Sequence, residues 1–205
     1  MKKLILFILV ICMVSLSACN SADKDTVETS GTTASTSVAL TTEEIYNAYL
    51  TKLCTKLNNI ISDDTHLDGF NLQKGMSGVA EIAQQRGLDL LNKFGYAVID
   101  VNGDGVDELF ICQVDEMTDS SCVGTKILCA YTASENDVVL LFESNCENCC
   151  YYLGEAVFYN VASSDGNHAV SEAFEGNEVV FEKTPEDLSS RIQKIGLISL
   201  AAFAG

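Results

Sequence analysis

From residue 96 onward the chain is organised as short β-type runs separated by turn residues, and this organisation limits the fold more than any other part of the sequence. The runs cover residues 96–101, 108–114, 126–132, 138–143, 151–159, 169–174 and 178–182. Asn-Gly, Asp-Gly and other turn-forming residues lie between them at the spacing of hairpins. Because strands joined by short turns run in opposite directions, this part of the chain predicts a mostly antiparallel sheet.

Two helical segments are predicted ahead of these strands. Thr41 and Glu44 match a capping box, the pattern that opens a helix, and apolar residues then recur every four positions as far as Ile61. A second, interrupted helical segment is predicted over residues 79–94. We expect the apolar faces of both segments to belong to the core.

A short helix is also predicted near the C-terminus. It would begin at Thr184 and Pro185, because proline is favoured in the first turn of a helix. Its apolar side would consist of Leu188, Ile192 and Ile195. The predicted fold class is therefore α+β, with N-terminal helical segments packed on a mostly antiparallel β-sheet and a short C-terminal helix.

Residues 1–18 have the form of an export signal. Lys2 and Lys3 precede an unbroken apolar run over residues 4–14, which is too short to span a bilayer. Leu, Ser and Ala then precede Cys19, and this sequence resembles the lipobox of bacterial lipoproteins. The resemblance implies that the Cys19 thiol receives a diacylglyceryl group, that the peptide is cut before it, and that the protein is anchored to the cell membrane on its extracytoplasmic face. The alternative is an ordinary cleaved signal peptide with an incidental cysteine.

The domain limits follow from composition. Residues 20–42 contain 11 Ser or Thr among 23 positions and show no apolar period. Residues 19–41 are therefore predicted to be a flexible Ser/Thr-rich tether, since such a segment buries too little to offset its ordering entropy. The signal peptide occupies residues 1–18, and residues 42–205 form a single predicted α+β domain.

The charge of the chain restricts its partners. It has 12 Lys and Arg against 29 Asp and Glu, a formal net charge of −17. Contacts to nucleic-acid phosphates need basic residues, so a nucleic-acid partner is not expected. Charge attraction to anionic lipid headgroups is not expected either, and the predicted membrane contact comes through the N-terminal lipid alone. The sequence does not name an extracytoplasmic partner.

Residues 100–108 carry the one motif with a clear chemistry. Oxygen-bearing side chains stand at alternate positions, namely those of Asp100, Asn102, Asp104 and Glu108, and Val106 can offer its main-chain carbonyl. Calcium binds six to eight hard oxygen ligands, which alternate residues of a loop can turn inward. The glycine at the sixth position permits the sharp turn that such a loop needs. The spacing therefore predicts a site for one Ca²⁺.

The strand-like flanks decide which calcium motif this is. An EF-hand would need helical flanks and an acid at the twelfth position, where this chain has Ile111. The stretch instead resembles the strand-loop-strand site of FG-GAP (integrin-type) repeats, and a module of secreted and lipid-anchored proteins of Gram-positive anaerobes. The resemblance implies Asp100, Asn102, Asp104, the Val106 carbonyl and Glu108 as ligands. It also implies that Asp107 points away. The chain departs from the propeller family in having a single copy of the motif, so a propeller is not inferred. The alternative is an acidic hairpin without an ion.

Nine cysteines are present, and Cys146, Cys149 and Cys150 form a close group. A zinc site would need four nitrogen or sulfur ligands, of which one C-x-x-C supplies two. A thioredoxin-like role would place C-x-x-C at the start of a helix, whereas this one precedes a strand-like run. For an exported chain we favour disulfides or buried thiols.

No catalytic pattern is found. The chain has two His and contains no G-x-S-x-G, H-E-x-x-H or P-loop sequence. Enzyme activity is therefore not the expectation. The function predicted is that of a lipid-anchored extracytoplasmic protein with one structural calcium loop, which acts as a surface binding or interaction module. The alternatives are a small surface hydrolase that uses acidic residues and a thiol- or metal-handling protein.

Overall fold

The computed structural model describes residues 39–62, 74–84, 89–114, 124–162, 168–171, 174–175 and 178–205. The predicted signal peptide, Cys19, most of the predicted tether and Cys122 lie outside the described residues. The described residues all belong to one compact unit.

The helical elements come first and last. Helix α1 spans Thr42–Ser62, α2 spans Ser77–Ala83, a 3₁₀ turn spans Leu90–Lys93, and α3 spans Leu200–Ala204. The capping box that opens α1 is confirmed. The Glu44 amide donates to Thr41 Oγ1 at 3.2 Å, and the Thr41 amide donates to Glu44 Oε2 at 2.8 Å. Helix α2 and the 3₁₀ turn occupy the region predicted as one interrupted helix. No helix in the described ranges is long and apolar enough to cross a bilayer.

Eleven short strands are described. They are β1 (Phe94–Ile99), β2 (Glu108–Gln113), β3 (Lys126–Ser134), β4 (Asp137–Glu143), β5 (Asn148–Gly154), β6 (Val157–Ala162), β7 (His168–Ser171), β8 (Phe174–Glu175), β9 (Glu178–Val179), β10 (Glu182–Thr184) and β11 (Ile198–Ser199). Nine of them form one sheet in the order β10-β7-β6-β5-β3-β2-β1-β11, with β4 beside β3, and β8 pairs with β9. Every pairing is antiparallel. The predicted mostly antiparallel sheet is confirmed.

Strand β3 organises the sheet because it has three partners. One edge pairs with β2, with Thr132 opposite Glu108. The other edge is shared between β4 along most of its length and β5 near its start, where Ile127 lies opposite Cys150. All five residues from Glu108 to Cys112 are buried, so β2 is covered on both faces, as expected for an inner strand.

Two clusters of buried residues lie on opposite faces of β2. Leu109 and Ile111 belong to a cluster that also contains α1 residues such as Leu53 and Leu57. The intervening residues Phe110 and Cys112 belong to a second cluster, which includes Phe142, Phe158 and Ile195. Since side chains alternate between the faces of a strand, one strand contributes to both clusters.

The single strand predicted over residues 151–159 is wrong, because this stretch is a hairpin of β5 and β6. The turn is formed by Glu155 and Ala156, whose φ angles are 51° and 61°. Left-handed backbone is uncommon outside glycine, asparagine and aspartate. The stretch contains one glycine, Gly154 with a φ of 96°, and no Asn-Gly or Asp-Gly pair to mark the turn.

The C-terminal helix exists, but its predicted position is wrong. After Pro185 only a 3₁₀ turn over Ser189–Arg191 forms, and Ile192 is extended. The Gln193 amide donates to the Tyr152 carbonyl at 2.8 Å, and the Ile195 amide donates to Thr125 Oγ1 at 3.0 Å. These bonds to distant residues hold the segment extended, and the helix forms later, in α3.

Candidate functional site

The predicted calcium loop connects β1 to β2 at one end of their ladder. The last pair of that ladder is Ile99 with Glu108. Asp100 follows β1 directly, and Glu108 is the first residue of β2. The first and last predicted ligands therefore lie at the two ends of one loop between paired strands, as the spacing predicted.

The Asp100 carboxylate is the centre around which the loop folds. Its Oδ1 accepts a hydrogen bond from the Gly103 amide at 2.7 Å, and its Oδ2 accepts one from the Gly105 amide at 3.1 Å. Both glycines have left-handed backbone, with φ of 75° and 88°. A side chain would strain this conformation, so the glycines allow two amides to turn toward one carboxylate.

Asn102 and Asp104 continue the same arrangement. The Asp104 amide donates to Asn102 Oδ1 at 3.0 Å, and the Val106 amide donates to Asp104 Oδ1 at 2.8 Å. The Asn102 side-chain amide also donates to Asp104 Oδ2 at 3.1 Å. The side-chain oxygens at alternate positions are thus bonded to amide groups of the same loop.

Glu108 differs from the other acids because it is buried, with 1% of its surface exposed. Its Oε2 accepts a hydrogen bond from the Val101 amide at 3.1 Å. Burial raises the pKa of this carboxyl to about 7, and repulsion by the charges of Asp104, Asp100 and Asp107 adds to the increase. A negative charge at Glu108 is therefore unfavourable without a compensating cation.

The outcome for the predicted ligands has two parts. The loop brings Asp100, Asn102, Asp104 and Glu108 into one connection, and Val106 lies between them, half-buried. Across the ranges that the structure describes, however, no group of three or more His, Cys, Asp or Glu side chains is arranged to hold a metal ion. The loop oxygens are instead bonded to amides of the same loop.

Asp107 was predicted to point away from the loop, and its residue is exposed. Its main-chain carbonyl has a function that the sequence did not indicate, since it accepts a hydrogen bond from the hydroxyl group of Tyr46 in α1. Tyr46 is 2% exposed, and burial is the main cause of its raised pKa. A buried tyrosine hydroxyl needs a partner, but the sequence does not say where that partner lies.

A groove of about 480 Å³ lies beside this contact. It is lined by residues of α1 between Thr42 and Leu50, by β1 from Tyr96 to Ile99, and by Asp107. Two carboxylates, those of Glu43 and Asp107, belong to its lining, and both residues are exposed.

The cysteine group is divided by the structure. Cys146 is exposed, Cys149 is half-buried and Cys150 is buried. All three are free thiols, as are the buried Cys54, Cys112 and Cys129. Burial raises the pKa of the Cys129 thiol to about 12, which makes it unreactive near neutral pH.

A polar cluster that the sequence did not reveal lies at the other end of the sheet. The Tyr159 hydroxyl and His168 Nδ1 are 2.5 Å apart, and the hydroxyl donates to Asp187 Oδ1 at 3.3 Å. Asp187 also accepts from the Ser189 amide at 2.9 Å and from the Ser189 hydroxyl. The bond from that hydroxyl is the main cause of the lowered pKa of Asp187. Tyr159 and His168 lie on the paired strands β6 and β7, and Asp187 lies 28 positions after Tyr159, so no local motif indicates the cluster.

Comparisons with protein-family models, with curated proteins and with solved structures find no match to this chain. Its function is therefore inferred from its own residues and contacts.

Proposed function

We propose that this protein is a lipid-anchored extracytoplasmic protein whose loop over residues 100–108 binds one Ca²⁺, and that it serves as a surface binding or interaction module. The observation that carries the proposal is the setting of Glu108. It is a buried carboxylate at the base of a loop that also holds the carboxylates of Asp100 and Asp104.

The donor set fits calcium. Asp100, Asp104 and Glu108 supply carboxylates, Asn102 supplies an amide oxygen, and Val106 supplies a main-chain carbonyl. These are the hard oxygen ligands that Ca²⁺ prefers, and water molecules would complete six to eight ligands. The hydrogen bonds within the loop are compatible with this chemistry, because each side-chain oxygen has a second lone pair available.

A bound cation would also offset the repulsion among the carboxylates of the loop. Three of its carboxylates raise the pKa of the buried Glu108 by repulsion. A divalent ion is the largest local charge in such a site and reverses the effect of its neighbours on an acid. Calcium binding would therefore stabilise the ionised form of Glu108 and, with it, the start of β2.

The role we infer for calcium is structural. The loop joins β1 to β2, and its Asp107 carbonyl is bonded to Tyr46 in α1. An ion in the loop would fix the relative positions of these three elements. The proposal includes an arrangement of the N-terminal helical segments as a layer on the sheet, which is supported by the buried cluster that α1 shares with β2 and β3.

The location follows from the lipobox resemblance at Cys19. We infer a lipoprotein signal peptide over residues 1–18, a tether over residues 19–41 and a single domain over residues 42–205. Two acyl chains on Cys19 would hold the protein on the membrane far better than one, since each buried methylene contributes about 0.8 kcal/mol.

The direct test is calorimetric titration of Ca²⁺ into the full chain in detergent, after removal of metal with EGTA and buffer exchange. We expect one site per chain, with a dissociation constant of roughly 0.1–1 mM, as for other extracellular calcium modules. Mg²⁺ is the control ion. The absence of heat, together with identical melting in Ca²⁺ and in EGTA, would overturn the calcium proposal.

A further inference from the structure

The described cysteines fall into two groups by exposure. Cys54, Cys112, Cys129 and Cys150 are buried, whereas Cys146 is exposed and Cys149 is half-buried. Thiol chemistry with a solvent reagent requires access. Among the described thiols, Cys146 and Cys149 are therefore the two that such a reagent reaches in the folded protein.

Cys146 lies within the turn between β4 and β5, and Cys149 is the second residue of β5. The Asn145 amide donates to the Asn148 carbonyl at 3.0 Å, and the Asn148 amide donates back to Asn145 Oδ1 at 2.8 Å. The Glu147 amide shares that same acceptor at 3.0 Å. The turn is therefore closed by hydrogen bonds on both sides, and it holds Cys146 at a fixed position.

The Cys149 side chain folds back over this turn. Its Sγ lies 3.6 Å from the Asn145 carbonyl oxygen and 3.9 Å from the Cys146 carbonyl oxygen. The Cys149 side chain therefore lies against the main chain of Cys146, and the two cysteines are neighbours at this turn. A disulfide between them requires Cα atoms about 4.4–6.8 Å apart.

We propose that Cys146 and Cys149 are a redox-active pair, which closes to a disulfide by exchange with a low-molecular-weight disulfide and reopens with the corresponding thiol. A thiolate of the pair attacks the small disulfide and releases one thiolate, which leaves a mixed disulfide. The second thiolate of the pair then displaces the remaining small thiolate. The cysteines lose two electrons and two protons, and the small disulfide gains them to become two thiols.

Glu81 gives the reaction a structural consequence. This half-buried residue of α2 accepts the Cys146 amide at 2.7 Å and the Cys146 thiol at 3.3 Å. Oxidation removes the thiol hydrogen and with it the second of these bonds, while the amide bond can remain. The disulfide form would therefore bind the turn less tightly to α2 than the dithiol form does.

Cys150 is excluded although it is adjacent to Cys149. Neighbouring residues of a strand point to opposite faces of the sheet, and Cys150 belongs to the buried cluster of Phe142 and Phe158. Because Cys150 is buried, a reagent in solvent does not reach its thiol in the folded protein.

The test uses the full chain in detergent, equilibrated with glutathione and glutathione disulfide at a series of ratios. Free thiols are alkylated, disulfides are then reduced and labelled with a second reagent, and peptide fragmentation reports each cysteine separately. We expect Cys146 and Cys149 to lose their free thiols together, with no lasting glutathione adduct, while Cys150 stays free. The Cys150→Ser variant should behave in the same way.

Cys149→Ser should instead trap glutathione on Cys146, because the resolving thiol is missing. Two free thiols at every ratio, stable glutathione on both positions, or a bond that includes Cys150 would each overturn the proposal. The labelling of each cysteine in the wild-type protein decides among these outcomes even where a variant fails to fold. None of them depends on calcium, so the result is independent of the function proposed above.

Discussion

The hydroxyl group of Tyr46 donates a hydrogen bond to the main-chain carbonyl of Asp107, which lies 61 positions away in the sequence. This contact connects the first helix to the acidic loop before β2. The hydroxyl group is buried, and the contact satisfies it without using any carboxylate of the loop. The bond therefore leaves all the predicted calcium ligands available and fixes the end of the loop nearest Glu108.

Tyr46→Phe should lower the free energy of unfolding by about 1 kcal/mol, because it leaves the Asp107 carbonyl without this partner. Tyr49, one turn later in α1, provides a matched control. Its hydroxyl is buried, and among the described residues it has no hydrogen-bond partner. Tyr49→Phe should therefore be neutral or slightly stabilising in the same urea denaturation. Equal losses for the two variants would contradict the importance of the Tyr46 bond.

Cys19→Ala should release the protein from the membrane, since the proposed anchor is attached to that thiol. Fractionation of cells that express the full chain is the measurement, and mass spectrometry of the membrane-extracted wild type should show a diacylated N-terminal cysteine. Cys54→Ser, which changes a buried thiol instead, should leave the fractionation unchanged. Equal membrane retention of Cys19→Ala would contradict lipid anchoring at this residue.

The sheet could be predicted because its turns carry their own signals. Asn-Gly and Asp-Gly mark the connection between β1 and β2, and the strands on either side are apolar. The hairpin of β5 and β6 was missed because Glu155 and Ala156 are not turn residues by type, although both adopt left-handed backbone. The last helix was misplaced because the Gln193 amide bonds to Tyr152, 41 positions earlier. A local pattern contains no information about such a bond.

In the candidate site, too, the features set by the local sequence could be predicted, and those set by contacts between distant residues could not. Asp100, Asn102, Asp104 and Glu108 lie in one connection because residues of a short loop are near one another by chain geometry alone, and their role as ligands stays a prediction. The burial of Glu108 could not be predicted, because it depends on the pairing of β2 with β3, where Glu108 lies opposite Thr132. The Tyr46 contact was missed for the same reason, since a residue of an apolar helix face was expected to be ordinary core.

Asp104→Ala should abolish the calcium dependence of stability, whereas Asp107→Ala should leave it nearly unchanged. Asp104 is a central ligand of the proposed site. Asp107 contributes only its main-chain carbonyl to the contact with Tyr46, and that carbonyl remains in the alanine variant. At free Ca²⁺ about twenty times the dissociation constant, binding should add about 1.8 kcal/mol to the wild-type stability. Melting curves in Ca²⁺ and in EGTA measure the difference, and an equal loss in both variants would contradict the ligand assignment.

In calcium-free protein, the contribution of Glu108 to the free energy of unfolding should fall as the pH rises from about 4.5 toward and beyond 7. The pKa of this carboxyl is raised from 4.5 to about 7 in the folded state. The folded protein therefore holds the proton more strongly than the unfolded chain. The stabilising contribution is fully present below the unfolded pKa and is lost as the pH passes through the folded pKa. At about 1.4 kcal/mol for each pKa unit, the loss is at most about 3.5 kcal/mol.

Glu108→Gln isolates this contribution from that of the other acids, because it keeps the shape of the side chain and removes its charge. In EGTA at pH 8 the variant should melt at a higher temperature than the wild type, and at pH 4 the two should differ little. In millimolar Ca²⁺ at pH 8 the order should reverse, since the variant lacks a ligand that the wild type uses. A variant that is less stable than the wild type in EGTA at pH 8 would show that the ionised Glu108 is compensated by protein groups, and the argument for a cation at this position would then fail.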